Sequence, residues 1–348
     1  MSALEGSKPL AVIFGCSGPV LTPRERRLFR QADPLGFILF RRNCRDPVQV
    51  ARLTADLREA VGREDAPILI DQEGGRVQRL RPPLWPDYPP AQRFGDLAAR
   101  DGDAAAEAAR LNARALAATV RALGIDVNTL PLLDLIVDGA SEIIGDRAFS
   151  HDPAIVARLG MAVCQGMLAE GVRPVMKHLP GHGRAPVDSH HALPIVDAAR
   201  DRLEREDFRP FRALAGHDWP VLPWAMTAHV VYTAVDAERP ATLSDVVIKQ
   251  VIRDFIGFRG VLVSDDLCME ALDGPPALRV AAALAAGCDI ALHCNGDAAE
   301  MEAIAASAPR LRPDSVDRLG LGGRPRRPSE PGDPAVLRAQ VRELMATA

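Results

Sequence analysis

One stretch of this 348-residue chain concentrates groups that can move a proton near neutral pH: Lys177-His178-Leu179-Pro180-Gly181-His182-Gly183-Arg184-Ala185-Pro186-Val187-Asp188-Ser189-His190-His191. Glycine and proline set special backbone angles, so this is a shaped loop rather than a helix. Such a loop can carry a titrating group over a pocket and withdraw it. Asp188 and His190 are two residues apart, so in an extended segment their side chains share one side. A carboxylate partner orients an imidazole and favours its charged form, which makes His190 a competent general acid. Two plainer readings stand beside this one. A loop histidine can simply be hydrogen-bonded, and His178, His182, His190 and His191 could ligate a metal. No HExxH or comparable fixed spacing supports the metal.

A second stretch, Gly260-Val261-Leu262-Val263-Ser264-Asp265-Asp266-Leu267-Cys268-Met269-Glu270, delivers two adjacent carboxylates at the end of an apolar run. Their side chains diverge, so Asp265 can face a pocket while Asp266 takes a structural contact. A carboxylate so placed can attack an anomeric carbon. Asp266 fits a helix N-cap, with a helix starting at Leu267. A third stretch, Ile70-Asp71-Gln72-Glu73-Gly74-Gly75-Arg76-Val77-Gln78-Arg79-Leu80, pairs another terminal carboxylate with arginines. Asp71 and the arginines suit sugar hydroxyls, which both donate and accept; capping and solvated roles are the alternative. Arg147 follows on a loop in Gly145-Asp146-Arg147-Ala148-Phe149-Ser150. The chain has no P-loop, no GxGxxG opening a helix and no GxSxG elbow, so nucleotide-binding and serine-hydrolase readings fall away.

Positioning these groups falls to short apolar runs at 10–15, 36–40, 68–71, 125–130, 175–178, 221–227, 260–264 and 289–293. Helical spacing of Ala, Leu, Arg and Glu fills 46–61, 102–123, 153–170, 207–215, 244–255 and 277–286. Strands that read as continuous apolar runs belong to a parallel sheet covered on both faces. About eight of them, alternating with helices, predict an α/β fold: a single (β/α)8 TIM barrel, with an open doubly wound sheet as the other arrangement. Polar residues gather where the runs end: Asp71, Lys177, His178, His229, Asp265 and His293. In such barrels those ends form the active-site face. Residues 1–308 make the barrel domain. Residues 309–348, with Gly320–Gly323, Arg324–Arg327 and several prolines, read as a loosely wrapped tail with a short helix at 336–345.

Hydrophobic residues at 47% and charged residues at 25% describe a soluble globular chain, able to bury a core without disulfides or structural metal. A net charge of -4 gives no reason to expect nucleic acid or an anionic membrane as partner. The six cysteines form no CxxC pair and read as reduced, buried thiols of a cytoplasmic protein. Residues 1–9 lack a basic region followed by an apolar one, so no secretory signal is expected. No apolar stretch approaches the ~20 residues of a membrane span.

Lys177–His191 resembles the KH(F/I/L)PGHG…DSH signature of bacterial β-N-acetylglucosaminidases in glycoside hydrolase family 3. Val263–Glu270 resembles that family's SDDLxM segment, and Asp71–Leu80 its DQEGGRVxR segment. Three motifs in the same order imply a TIM barrel and a retaining mechanism. Asp265 would be the nucleophile and His190 the acid/base, with Asp188 as its partner. Most retaining glycosidases use two carboxylates for these roles, and the resemblance replaces one with a histidine. It also implies that Asp71, Arg79, Arg147, Lys177 and His178 hold the sugar hydroxyls, with no metal and no cofactor. The implied substrate is N-acetylglucosamine linked to 1,6-anhydro-N-acetylmuramic acid, with or without peptide, in cytoplasmic cell-wall recycling by a monomer. Two departures stand out: Arg184-Ala185-Pro186-Val187 between GHG and DSH, and Asp146 where glutamate is common. A related β-glucosidase or glycoside phosphorylase is the alternative, since a neutral imidazole does not repel phosphate. A non-catalytic sugar sensor and a metal-dependent hydrolase are more distant ones.

Overall fold

The apolar runs become short strands because their side chains are buried on both faces, against the barrel interior and against helices. The computed structural model describes residues 8–347 apart from 321, 322, 324, 327 and 329. Among the described residues, eight parallel strands close into one barrel in chain order: Leu10–Phe14, Pro34–Leu39, Ile68–Ile70, Val127–Asn128, Arg173–Leu179, Trp224–Thr227, Leu262–Asp266 and Ile290–His293. Closure is made by the last strand on the first, with Val12 opposite Ala291 and Phe14 opposite His293. The fold is therefore a single (β/α)8 barrel, and each predicted run supplies one of its strands.

Several helices start where the sequence marks them. Asp46 caps Pro47–Val61 by accepting from Gln49 N, and Asp152 caps Pro153–Ala169 by accepting from Ala154 N. Proline at the first turn costs neither helix a hydrogen bond. The 244–255 segment is wound differently: Val247–Phe255 is π-helical. Helices outside the six expected segments include Pro23–Ala32, Gln92–Ala98, Arg200–Arg205 and Ala298–Ser307. The first carries a readable start, a capping box. Thr22 Oγ1 accepts from Glu25 N at 3.2 Å, and Glu25 accepts from Thr22 N at 2.8 Å.

The described parts of the segment after Pro309 are docked rather than loose. Ala11 N donates to Pro309 O, and Leu311 N donates to Pro9 O. Ser315 and Arg318, on helix Pro313–Gly320, both donate to Asp289 Oδ1, at 2.7 and 2.8 Å. That aspartate, buried at the foot of the last strand, also accepts from Arg253 and from Leu262 N. A burial this deep requires such partners for the charge. Helix Pro334–Thr347 buries Leu337 and Val341 and packs on helix Gly102–Arg121. Residues 321, 322, 324 and 327 of the Gly320–Gly323 and Arg324–Arg327 stretch lie outside the described residues, as do residues 1–7. No helix among the described residues is long and apolar enough to cross a membrane. All six cysteines are free.

Candidate active site

At the C-terminal ends of the strands lies a cavity of about 250 Å³. Asp71, Arg79, Arg147, Lys177, His178, His190 and Asp265 all border it. Asp188 stands behind His190. Ile38, Met226 and Leu292, from three different strands, give it an apolar part. His229 and His293, at two other strand ends, do not border it; both are buried in the wall.

Five charged groups on one side form a continuous network. Arg79 donates to Asp71 Oδ2 at 2.8 Å. Lys177 Nζ is 3.4 Å from Asp71 Oδ1, 2.6 Å from Glu73 Oε1 and 2.9 Å from Thr129 Oγ1. Thr129 in turn donates to Asp71. Arg147 grips Glu73 through both carboxylate oxygens at 2.9 Å, the bidentate geometry that a guanidinium favours. Burial alone would raise the carboxyl of Asp71, but Lys177 and Arg79 outweigh it and hold it well below the usual range. The same opposition, with Arg147 and Lys177 prevailing, lowers Glu73 to about 2. Glu73 was not singled out from the sequence, although it sits inside the 71–80 motif.

The strand that carries Lys177 also brings His178 to a third carboxylate. The Lys177–His178 peptide is cis, and both side chains border the cavity. His178 Nδ1 pairs with Asp134 Oδ2 at 2.7 Å, and His182 N donates to Asp134 Oδ1 at 2.6 Å. Asp134 is a lone acid within Leu130-Pro131-Leu132-Leu133-Asp134-Leu135. A carboxylate in such an apolar run needs a partner, and that was the overlooked signal. His182 packs edge-on against His178, and its Nε2 lies 3.1 Å from Ser189 Oγ. Burial, reinforced by His178, lowers His182 to about 4.

Ser189 is buried, whereas its neighbour His190 keeps 57% of its side chain exposed at the cavity. His190 Nδ1 is 2.8 Å from Asp188 Oδ1, which also accepts from His190 N at 2.8 Å. Partial burial would raise the Asp188 carboxyl, but these two contacts with His190 keep it low. With Nδ1 on Asp188, the other imidazole nitrogen remains for a proton donor's work.

Asp265, next to last in its strand, is half-buried at the cavity, its Oδ1 accepting from Asp266 N at 2.8 Å. Burial opposes its charge, yet His178, His229, that N–H and Lys177 together lower its carboxyl below the usual value. A poised, ionised carboxylate results. Asp266 also borders the cavity, but its carboxylate is tied to backbone, with Oδ1 accepting from Cys268 N at 2.9 Å and Cys294 N at 3.2 Å. No helix begins at Leu267. A turn follows, and the next helix is Pro276–Ala286. Asp266 caps backbone from two strand ends instead of a helix, because the strand itself continues through it. His229 braces this corner, with Nδ1 on Thr242 Oγ1 at 2.8 Å and Nε2 on Asp266 O at 3.0 Å.

An ionised strand-end carboxylate, an exposed imidazole with its carboxylate partner, and a fixed array of charged donors and acceptors thus border one cavity. Residues 24–317 match the model of the glycosyl hydrolase family 3 N-terminal domain. The beta-hexosaminidase of Aromatoleum aromaticum is 39% identical over 350 residues, covering 97% of this chain and 95% of that protein. The beta-hexosaminidase of Bordetella parapertussis is 38% identical over 326 residues, covering 90% and 91%. The crystal structure of NagZ from Neisseria gonorrhoeae in complex with N-trifluoroacetyl-D-glucosamine superposes with a TM-score of 0.84 at 32% identity, covering 97% of this chain and 98% of that one. On this fold, this cavity and these relatives, the chain belongs to glycosyl hydrolase family 3 and is a glycoside hydrolase of its β-N-acetylhexosaminidase branch.

Proposed function

We propose that this protein is a retaining exo-β-N-acetylglucosaminidase that removes terminal N-acetylglucosamine from 1,6-anhydro-N-acetylmuramic acid, with or without peptide, in cell-wall recycling. The observation that carries this reading is the shared cavity of Asp265, ionised by its surroundings, and His190, paired at 2.8 Å with Asp188. In the first step the Asp265 carboxylate attacks C1. The glycosidic C1–O bond breaks, and the leaving oxygen takes the proton from His190. In the second step the neutral imidazole removes a proton from water, whose oxygen attacks C1 and releases Asp265. Two inversions give retention. Asp71, Arg79, Arg147, Lys177 and His178 hold the hydroxyls as the ring flattens, contacts that strengthen toward the oxocarbenium-like state. The gonococcal neighbour binds an N-acylated glucosamine, which supports the sugar assignment. The protein acts in the cytoplasm, as a monomer, without a cofactor.

Trapping with a 2-fluoro or 5-fluoro glycosyl substrate, followed by peptide mapping, tests the mechanism. The label is expected on Asp265. A label on another residue would overturn the assignment. Hydrolysis of the disaccharide in phosphate and phosphate-free buffer tests the reaction class: equal release of free N-acetylglucosamine is expected. Formation of the sugar 1-phosphate would make the enzyme a phosphorylase.

A further inference from the structure

Outside the sugar cavity, three side chains of metal-binding type converge where the last two strands end. Cys268 lies just past strand Leu262–Asp266, His293 ends strand Ile290–His293, and Glu300 is in the first turn of helix Ala298–Ser307. One ligand atom from each lies within 4.8 Å of the other two. His293 Nε2 is 3.4 Å from Glu300 Oε2 and 4.0 Å from Cys268 Sγ, whose nearer contact is His293 Nδ1 at 3.1 Å. Bonds of about 2.0–2.3 Å place the ligand atoms of a tetrahedral zinc about 3.3–3.8 Å apart. The His293–Glu300 separation lies in that range, and Cys268 has to move by up to about 1 Å to complete the set.

Burial lowers the His293 imidazole, and the carboxylates of Asp266, Glu300 and Asp297 oppose it. Arg279, which reaches the same turn, donates to the carbonyls of Leu267 and Met269 instead. The imidazole is fully buried and so fixed, while Cys268 and Glu300 are half-buried and leave an approach from solvent. Cys268 and His293 are 25 residues apart, so no spacing in the sequence announces the cluster.

We propose that Cys268, His293 and Glu300 form a three-ligand site for a borderline-soft divalent cation, Zn²⁺ by its ligand types, with a fourth position open to water. Thiolate, imidazole and carboxylate together select zinc-like ions over magnesium or calcium. Binding displaces the thiol proton to solvent and ties two strand ends together. Asp266 already accepts from Cys268 N and Cys294 N, so the bound ion stiffens the turn directly after Asp265.

Cobalt titration of the metal-free full chain tests this, because a thiolate ligand gives Co²⁺ a charge-transfer band that carboxylates and imidazoles do not. One equivalent is expected to produce the band and to raise Tm. Cys268→Ser should abolish it, and Glu300→Gln, a change on the half-exposed helix turn, should weaken cobalt binding about tenfold or more. His190→Ala removes the cavity imidazole that could hold cobalt elsewhere and should leave the band in place. Absence of the band at one equivalent overturns the proposal, as does its persistence in Cys268→Ser. If Cys268→Ser does not fold, unchanged cobalt affinity in Glu300→Gln overturns it.

Discussion

Glu73 and Lys177 meet at 2.6 Å inside the barrel mouth, and the same carboxylate holds Arg147 through both oxygens. The Lys177 side chain is 3% exposed and that of Glu73 is 5% exposed, so neither charge has water to fall back on. Glu73 is thus the counter-ion that keeps two cationic cavity residues in place, and its removal disturbs both.

Glu73→Ala should cost about 3–5 kcal/mol of stability, because it leaves buried cations uncompensated. Glu73→Gln keeps the shape but not the charge. It should raise KM for an aryl N-acetylglucosaminide about tenfold, with a smaller effect on kcat. Urea unfolding and steady-state kinetics check the two halves. Unchanged values for both variants would remove Glu73 from the account.

The Glu73 carboxyl is lowered to about 2 from an ordinary 4.5. A carboxyl lowered in the folded state contributes stability above its unfolded value and loses it as pH falls through the folded one. The wild-type protein should therefore lose this contribution between about pH 4.5 and 2. Glu73→Gln should show a shallower decline of stability in that window.

His182 behaves in the opposite chemical sense but also weakens the fold toward acid. Its imidazole is lowered to about 4 from 6.5, so the unfolded chain binds the proton first. Stability should fall as pH drops from about 6.5 to 4. Ser189→Ala removes the hydroxyl 3.1 Å from His182 Nε2. Freed from that contact, the 181–191 loop should exchange backbone amides faster, with Tm little changed. Hydrogen exchange measured peptide by peptide decides this.

Asp265→Asn should lower kcat by about 10³-fold or more, since the proposed covalent step would lose its nucleophile. The Asp265 carboxylate accepts one backbone hydrogen bond, from Asp266 N. Tm should therefore shift little. A large fall in Tm would mean that Asp265 serves the fold rather than the reaction.

His190→Ala should slow substrates with poor leaving groups about 10²–10⁴-fold and activated aryl substrates much less in the first step. Asp188→Asn should reproduce a part of this loss, because Asp188 holds the imidazole at 2.8 Å and does not itself border the cavity. Equal losses across leaving groups would count against His190 as the acid.

Local composition and spacing were enough to predict about eight parallel strands with polar residues at their ends and to favour a closed barrel, while the pairing of the last strand with the first decided against an open doubly wound sheet. Strand burial, glycine loops and N-caps are short-range properties, so they can be read along the chain. The Asp188–His190 pair was readable because the two residues are close along the chain, although a turn, with His191 N donating to Asp188 O at 3.0 Å, brings them together and not the extended segment expected. Tertiary structure decided the partners. Asp134 under His178, Glu73 between Lys177 and Arg147, and Asp289 holding the tail helix each join groups far apart in sequence. Barrel closure also sent His229 and His293 into the wall while Asp265 and His190 came to the cavity. A strand end fixes that a polar group is near the mouth. Which way it faces depends on the twist of the closed sheet and on the neighbour that satisfies it.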